Sequence, residues 1–198
     1  HYLEVGCGAG PNLVWLAERG IKVSGVDISP TALELARRSF RQRGLEARLG
    51  SLVHGSATAL EFPDSSLDGV LESCVFQHLA RDDRIKAFAE VVRVLKPGGV
   101  FVGHMLNRRH STYGAQRDHE LPEDPGTIVL SSDKVGNKFH LETIGLSHFF
   151  AREEFSGLLA GCSVVDPCEV TYELTREESR RRGYDRYFQA MWIVYAVK

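Results

Sequence analysis

The octapeptide Leu3-Glu4-Val5-Gly6-Cys7-Gly8-Ala9-Gly10 constrains the fold more than any other part of the chain. It predicts a buried strand, about Tyr2 to Val5, followed by a glycine-rich turn and a helix that begins near Pro11. Glycine has no side chain to obstruct a ligand, so such a turn lets the backbone come close to a bound molecule. The spacing is Gly-x-Gly-x-Gly. Because position 11 is proline, the Gly-x-Gly-x-x-Gly spacing of dinucleotide-binding turns is not present.

Strand and helix patterns alternate beyond this turn. A second strand ends in Asp27, and a helix follows with Ser29 as its N-cap and Pro30 at its first position. This alternation predicts a doubly wound α/β sheet with right-handed crossovers. We expect the last two strands to be antiparallel neighbours joined without a helix. The further predicted elements are helices near 30–41, 82–95 and 152–161, and strands near 52–54, 67–72, 100–105, 163–174 and 187–197.

The helix near 82–95 carries a predicted apolar stripe of Ile85, Phe88, Val92 and Leu95. A long polar segment, about 106–147, follows the fifth strand and has no strong period. Ligands of open α/β sheets bind beyond the carboxyl ends of the strands, and this segment leaves the sheet at that edge. We therefore expect it to be an insertion that covers the substrate within a single domain spanning 1–198.

The succession of motifs resembles the class I S-adenosylmethionine-dependent methyltransferases, in the small-molecule branch of quinone-biosynthesis-type, methyltransferase type 11-like proteins. The matching segments after the octapeptide are Val23–Asp27, Ser29-Pro30, Gly55–Ala57, Phe62–Val70 and Leu95–Gly99. The resemblance implies a Rossmann-like seven-stranded sheet, mostly parallel with an antiparallel last strand, and helices on both faces. It implies S-adenosylmethionine as cofactor and S-adenosylhomocysteine as product. It also implies lid helices upstream of the first strand, and we expect these to lie outside this sequence.

The resemblance assigns a cofactor site position by position. Glu4 is of the type that meets the ammonium end of the ligand, and Asp27, at the end of a strand, can accept both ribose hydroxyls. The alternative for Asp27 is a helix-capping acid. Ser56 stands where the family commonly has an aspartate for the adenine amino group, so adenine recognition is expected to lean on the backbone of Ala57. The expected cofactor-binding residues are Glu4, Gly6, Cys7, Gly8, Gly10, Asp27, Ile28, Ser56, Ala57, Ser73, Cys74 and Val75.

Two histidines are the principal candidates for acid/base chemistry. His78 lies just past the fourth strand, where similar proteins carry a histidine, and His148 precedes Phe149-Phe150. The alternative for His78 is pocket lining or helix capping, and His104 and Tyr113 are further candidates. No metal site is predicted, because His104, His110, His119, His140 and His148 lack ligand spacing.

Composition narrows the partners. The net charge is −2, so nothing favours nucleic acid or a membrane surface as a partner. The four cysteines form no Cys-x-x-Cys pair and no apolar run has spanning length, which favours a cytoplasmic protein. The expected activity is in-line methyl transfer to a small organic acceptor, with oxygen, nitrogen, sulfur and carbon all open. The alternatives are a catalytically silent cofactor-binding sensor or complex partner and, against the glycine spacing, an NAD-dependent oxidoreductase.

Overall fold

The computed structural model describes residues 1–129 and 145–198. Its strands are β1 (Tyr2–Val5), β2 (Val23–Asp27), β3 (Leu49–His54), β4 (Leu67–Ser73), β5 (Leu95–Leu106), β6 (Thr127–Val129), β7 (Leu146–His148), β8 (Val164–Glu173) and β9 (Phe188–Val197). Its helices are α1 (Pro11–Ala17), α2 (Pro30–Gln42), α3 (Arg81–Val94), α4 (Ser111–Gln116), α5 (Glu154–Leu158) and α6 (Arg176–Arg181). Short 3₁₀ turns occupy Glu46–Arg48, Phe76–His78 and Arg117–His119.

Seven strands form one sheet in the order β3-β2-β1-β4-β5-β9-β8. The first five strands along the chain are parallel neighbours, whereas β9 runs antiparallel to both β5 and β8. The prediction of a mostly parallel, doubly wound sheet with an antiparallel last strand is confirmed. The carboxyl ends of β1, β2 and β4 therefore meet at one edge, where the predicted site residues are concentrated.

The capping residues determine where the early helices start. Gly10, in a left-handed conformation, precedes Pro11 at the first position of α1, and the Ser29 side chain accepts from the Ala32 amide at 3.2 Å at the start of α2. Both prolines occupy a position whose amide would have no helical partner. Each helix therefore begins a few residues after a strand ends. The turns between strand and helix lie at the edge of the sheet formed by the carboxyl ends of the strands.

The predicted stripe of α3 is wrong by about one position. Ile85 is 48% exposed and Leu95 begins β5, while the buried apolar residues of the helix are Ala87, Phe88, Val91 and Val94. Arg84 is buried with them because its guanidinium donates to Asp124 Oδ1 at 2.6 Å. A charged side chain is rarely buried unless it is paired. The ion pair therefore lets Arg84, and not Ile85, lie on the buried face of α3.

The link between the last two strands was also predicted wrongly. It contains the six-residue helix α6, which begins at Arg176. Thr175 is its N-cap, and the Thr175 hydroxyl accepts from the Glu178 amide at 3.2 Å. The pairing of β8 with β9 is antiparallel as predicted. In this helix Arg181 pairs with Glu177 at 2.7 Å on an exposed face.

Part of the long segment after β5 contains short elements. Helix α4 packs against β9, and β6 pairs with β7 in an antiparallel ladder. Residues 130–144, including His140, lie outside the described part of the chain. The prediction that 106–147 is a substrate-covering insertion in one 1–198 domain therefore stays a prediction. None of the described helices is both long enough and apolar enough to cross a membrane.

Candidate functional site

The glycine turn after β1 brings the loop after β4 into close contact. Gly6 has φ of 69°, and a Cβ built on it would lie 2.2 Å from Cγ2 of Val75. Only glycine admits both this left-handed backbone and this approach. Gly8, with φ of 53°, is the opposite case, because a Cβ there would meet nothing within 4 Å. The turn thus combines a tight floor at Gly6 with open space beside Gly8.

Asp27 fastens this turn to the end of β2. Its Oδ2 accepts from the Gly8 amide at 2.7 Å and its Oδ1 from the Ser29 amide at 2.8 Å. A carboxylate has about four acceptor positions, so both oxygens retain lone pairs for a ligand. The N-cap of α2 is Ser29 and not Asp27, which at the start of this helix accepts only the amide of that N-cap residue. The carboxylate of Asp27 is therefore free to serve the expected ribose contact as well.

A cavity of about 310 Å³ lies at this edge of the sheet. Its volume is at the lower end of the range for small-molecule sites, about 300–1,000 Å³. Its lining residues are Gly6, Val26, Asp27, Ile28, Gly55, Ser56, Ala57, Cys74, Val75, His78 and Leu79. The structure therefore brings together most of the residues expected to hold the cofactor. It adds Val26 and Gly55, which lie within the matching segments but were not expected to bind, and Leu79, which follows His78.

Apolar residues beside Asp27 and in the loop after β3 also line the cavity. Ile28 is 76% exposed, whereas Ala57 is buried. The Ser56 hydroxyl is bonded to the Thr58 hydroxyl at 2.8 Å and accepts from the Thr58 amide at 3.2 Å. Because the hydroxyl is used within its own loop, the backbone of Ala57 stays the better candidate for polar recognition of a base.

Two acids are buried beneath this edge. Glu4 accepts from Asn12 Nδ2 at 2.7 Å through Oε1, and its Oε2 has no partner in the described residues. Burial raises the pKa of Glu4 to about 7, against the hydrogen bond from Asn12. Glu72, which the sequence reasoning did not select, is 2% exposed and likewise has an unpartnered Oε2. Burial raises its pKa to about 7 as well, against amide hydrogen bonds from Val75 and Phe76.

The two expected cysteines differ in position. Cys7 is buried against the core, with its Sγ 2.5 Å from the position of a Cβ built on Gly25, so only its backbone belongs to the turn. Cys74 lines the cavity with φ of 61°, and its Sγ lies 3.7 Å from His104 Nδ1. Burial raises the pKa of Cys74 to about 11, so it is a thiol at neutral pH. Ser73, before it, is half-buried and does not line the cavity.

His78 lines the cavity with both ring nitrogens near partners. Nδ1 lies 3.1 Å from the carbonyl oxygen of Leu146, and Nε2 lies 3.2 Å from Nε2 of Gln77. Gln77 Oε1 accepts from the Leu106 amide at 2.8 Å, so its NH₂ group faces the imidazole. The consistent assignment is a neutral His78 that donates from Nδ1 and accepts at Nε2. Burial lowers its pKa.

The structure does not bring His148 to the cavity. It is fully buried, with Nδ1 2.7 Å from Thr127 Oγ1 and Nε2 2.9 Å from Glu154 Oε2. These contacts hold β6 and β7 against α5, which argues against the expected acid/base role. Tyr113 is also buried and donates to Glu120 at 3.0 Å.

A larger cavity of about 570 Å³ lies elsewhere, between α3 and α5. Two ion pairs line it, Arg84 with Asp124 at 2.6 Å and Arg108 with Glu154 at 3.0 Å. None of the expected cofactor residues lines it. Within residues 1–129 and 145–198, no group of three or more histidines, cysteines or acids could hold a metal ion.

The methyltransferase domain family matches residues 3–103, just over half of the chain. The chain belongs to this family. Family membership implies S-adenosylmethionine as the cofactor and S-adenosylhomocysteine as the product.

Individual relatives agree with this assignment. A demethylmenaquinone methyltransferase of Thermus thermophilus is 40% identical over 102 residues, which are 50% of this chain and 44% of that protein. A protein from Talaromyces variabilis described as an S-adenosyl-L-methionine-dependent Diels-Alderase is 34% identical over 137 residues, which are 69% of this chain and 46% of that protein. The chain spans less than half the length of these curated relatives.

A solved SAM-dependent methyltransferase from Methanosarcina mazei has the same fold. It superposes with a TM-score of 0.75 and 25% identity, over all of this chain and 91% of that one. This structural match also covers the residues beyond 103, which lie outside the part of the chain that the family matches.

The residues of this methyltransferase domain fit the cofactor in three respects. The turn has no side chain at Gly6, where a Cβ would collide with Val75, and open space lies beside Gly8. Beneath the turn, one carboxylate oxygen each of Glu4 and Glu72 has no hydrogen-bond partner in the described residues. An adenosyl group with a cationic amino-acid tail has the apolar, hydroxyl and ammonium parts that such a surface can receive.

Proposed function

We propose that this domain transfers a methyl group to a small organic acceptor held above the carboxyl ends of β4 and β5. The observation that carries the proposal is the convergence of Gly6, Asp27 and Ala57 on one cavity of about 310 Å³. When bound, S-adenosylmethionine supplies an electrophilic methyl group, and the protein supplies position and charge.

The residues at this edge of the sheet would bind different parts of the cofactor. Asp27 would accept hydrogen bonds from the ribose, Ile28 would cover the adenine, and Glu4 would face the ammonium group. Cys74 and Val75 would border the amino-acid part. Orienting the acceptor in line with the reacting bond could account for about 7–11 kcal/mol of the barrier in ideal cases.

The lining of the cavity is mainly apolar, with Val26, Ile28, Ala57, Val75 and Leu79 among its residues. Cys74, which also lines it, packs against a buried cluster made of Leu106 in β5, Met191 in β9, and Tyr113, Ile128 and Phe149 between those strands. An apolar lining favours an apolar or aromatic acceptor. The names of the relatives, a demethylmenaquinone methyltransferase among them, point to acceptors of the same kind.

Binding and turnover should be measured separately. Calorimetric titration with S-adenosylhomocysteine tests the cofactor site without an acceptor. Radiolabelled methyl transfer to a panel of quinols, phenols, amines, thiols and sterols then tests the reaction. Binding with no transfer to any class would favour a silent sensor. Conversion without methyl uptake would favour another reaction, as the name of the Diels-Alderase relative illustrates.

We propose His78 as the imidazole that acts beside the acceptor. Nε2 of His78 accepts from the Gln77 amide, and an acceptor hydroxyl that replaced this amide could donate to the same nitrogen. Nδ1 is already used, because it donates to the carbonyl oxygen of Leu146. We expect His78→Ala to lower kcat about 10²–10⁴-fold if a proton must be removed, with little change in affinity for S-adenosylhomocysteine.

The variant His78→Asn separates this role from simple tethering. Its side-chain amide can still donate to Leu146 but has no nitrogen in the place of Nε2. If His78 is a base, the asparagine variant should be as slow as the alanine variant with the acceptor found in the screen. Restored turnover in His78→Asn would instead assign the residue to holding β7.

A further inference from the structure

The cavity of about 570 Å³ between α3 and α5 has no part in the function proposed above. Its volume suits a small organic molecule. The lining contains three arginines, Arg81, Arg84 and Arg108, but only two acids, Asp124 and Glu154. The described part of the lining therefore carries one positive charge more than it carries negative charges.

The two acids of the lining are already paired with protein groups. All four of their carboxylate oxygens lie 2.5 to 3.0 Å from a protein partner: Asp124 Oδ1 from Arg84, Asp124 Oδ2 from Thr127, Glu154 Oε1 from Arg108 and from the Ala151 amide, and Glu154 Oε2 from His148. The acids therefore offer little further acceptor capacity to a ligand.

The arginines, in contrast, keep unused donors. Arg108 donates from Nε to the Phe149 carbonyl at 3.1 Å and from Nη2 to Glu154 at 3.0 Å. Its Nη1 has no hydrogen-bond partner in the described residues. Arg81 is exposed, and within that part of the chain its one hydrogen bond is a long contact of 3.4 Å with the Glu123 carbonyl. Guanidinium groups bind the oxygens of carboxylates and phosphates through such N–H donors.

The helices supply an apolar part of the same lining. Ile85 and Ala89 belong to α3, and Leu158 ends α5. Ile85 is 48% exposed, because the pairing of Arg84 places that neighbour, and not Ile85, on the buried face of the helix. An exposed aliphatic side chain in a cavity gains free energy when a ligand removes it from water.

We propose that this cavity is a second small-molecule site, which takes an amphipathic anion: an apolar body that ends in a carboxylate or a phosphate. Arg81 and Arg108 donate to the anionic group, while Ile85 and Leu158 contact the apolar body. The ion pairs of Arg84 and Arg108 connect the cavity walls before any ligand arrives, which lowers the cost of ordering the site. Since none of these residues lines the cofactor cavity, the inference is independent of the proposed methyl transfer.

Four small probes separate the two parts of this chemistry. Hexyl phosphate and hexanoate have both an anionic group and an apolar body, hexylammonium has the opposite charge, and inorganic phosphate has no apolar body. Titrations followed by the amide signals of the ¹⁵N-labelled protein give both the affinity and the location. We expect the two amphipathic anions to shift amides of α3 and α5. They should bind at least about tenfold more tightly than hexylammonium or inorganic phosphate. The tighter of the two identifies the preferred anionic group.

Two exposed residues of the lining can be changed without touching either ion pair. Arg81→Gln removes a positive charge from the first turn of α3, a change that the helix dipole favours. It should weaken both amphipathic anions about three- to tenfold. Ile85→Ser should weaken them by a similar factor but leave inorganic phosphate unaffected. Arg38→Gln, at an exposed position of α2 outside the cavity, is the matched control and should bind as wild type.

Several results would overturn the inference. One is an absence of amide shifts in α3 and α5 with both amphipathic anions. Another is equal binding of hexylammonium or of inorganic phosphate, and a third is unchanged affinity in Arg81→Gln. A titration with S-adenosylhomocysteine present adds a fourth, because displacement of the anion would place it in the cofactor cavity. A failure to detect methyl transfer, on the other hand, would count against the proposed function alone.

Discussion

Gly6 shows how one residue permits close packing beside the candidate cofactor cavity. Its missing Cβ is what allows Val75, a side chain with little rotational freedom, to close over the turn. The sequence predicted a close approach at this position, because glycine alone tolerates it. It did not identify Val75 as the neighbour, since the contact depends on how β1 and β4 are aligned.

We expect Gly6→Ala to destabilise the protein more than Gly44→Ala. Both glycines are left-handed, with φ of 69° and 66°, so both variants incur about 1–2 kcal/mol of backbone strain. A Cβ at Gly44 would meet nothing within 4 Å, whereas at Gly6 it would collide with Val75 and add about 1–3 kcal/mol. Urea denaturation of the two variants measures the difference, and equal losses would contradict the close contact.

Asp27 carries a second prediction at the same scale. We expect Asp27→Ala to weaken the binding of S-adenosylhomocysteine by about 1–3 kcal/mol, because a charged acceptor is lost. Since Asp27 also holds the Gly8 and Ser29 amides, Asp27→Asn is the matched variant that keeps one acceptor oxygen. Titration calorimetry should rank wild type above the asparagine variant, and the asparagine variant above the alanine variant. Unchanged affinity in both variants would remove the ribose assignment.

At the scale of elements, an ion pair between distant segments determines the orientation of α3. Arg84 and Asp124 are forty positions apart and both nearly buried, with side-chain exposures of 4% and 9%. The helical period in the sequence identified a helix here but placed Ile85 in the core. The spacing of apolar residues cannot show that Arg84 pairs with Asp124. The buried face of α3 was therefore predicted about one position away from where it lies.

We expect Asp124→Asn to cost about 3–5 kcal/mol of unfolding free energy, because it leaves the Arg84 charge buried without a counterion. The exposed control Asp118→Asn should change stability by less than about 0.5 kcal/mol. Denaturant unfolding of both variants is the measurement. A loss for Asp124→Asn no larger than that of the control would show that Arg84 reaches solvent.

At the scale of the whole molecule, the parallel sheet gathers acids from separate parts of the chain at one edge. Glu4, Asp27 and Glu72 each lie at or next to the end of a strand, and the order of those strands makes them neighbours. The fold therefore places mutually repelling acids at the edge where we propose that the ligand binds. Active sites are often arranged in this way.

The burial of Glu72 predicts how the stability of Glu72→Gln depends on pH. The pKa of Glu72 is about 7 in the folded protein and near 4.5 when unfolded, so the folded state binds the proton more tightly. Stability contributed by the protonated acid is complete below the lower value and is lost as pH rises to about 7. The glutamine variant never ionises, so its advantage over wild type should grow through this range, by at most about 3 kcal/mol.

Thermal or urea unfolding at several pH values measures this advantage. Comparing the variant with wild type at each pH removes the contribution of the buried histidines, which titrate in both proteins. Glu46→Gln, on the exposed 3₁₀ turn, should show no trend with pH. A difference between Glu72→Gln and wild type that stays constant from about pH 5 to about pH 8 would mean that Glu72 is ionised throughout.

Short-range signals in the sequence were sufficient to predict the parallel strands of the ligand edge, the glycine turn and most of the cavity wall. These features depend on glycine spacing, an acid at a strand end, and capping residues. The folded structure was needed to show that His148 lies in a buried network, that both nitrogens of His78 have partners and that Glu72 joins Glu4. Those facts depend on contacts between segments far apart in the chain. Local sequence patterns determine which elements form, whereas burial and pairing are set by how the elements pack.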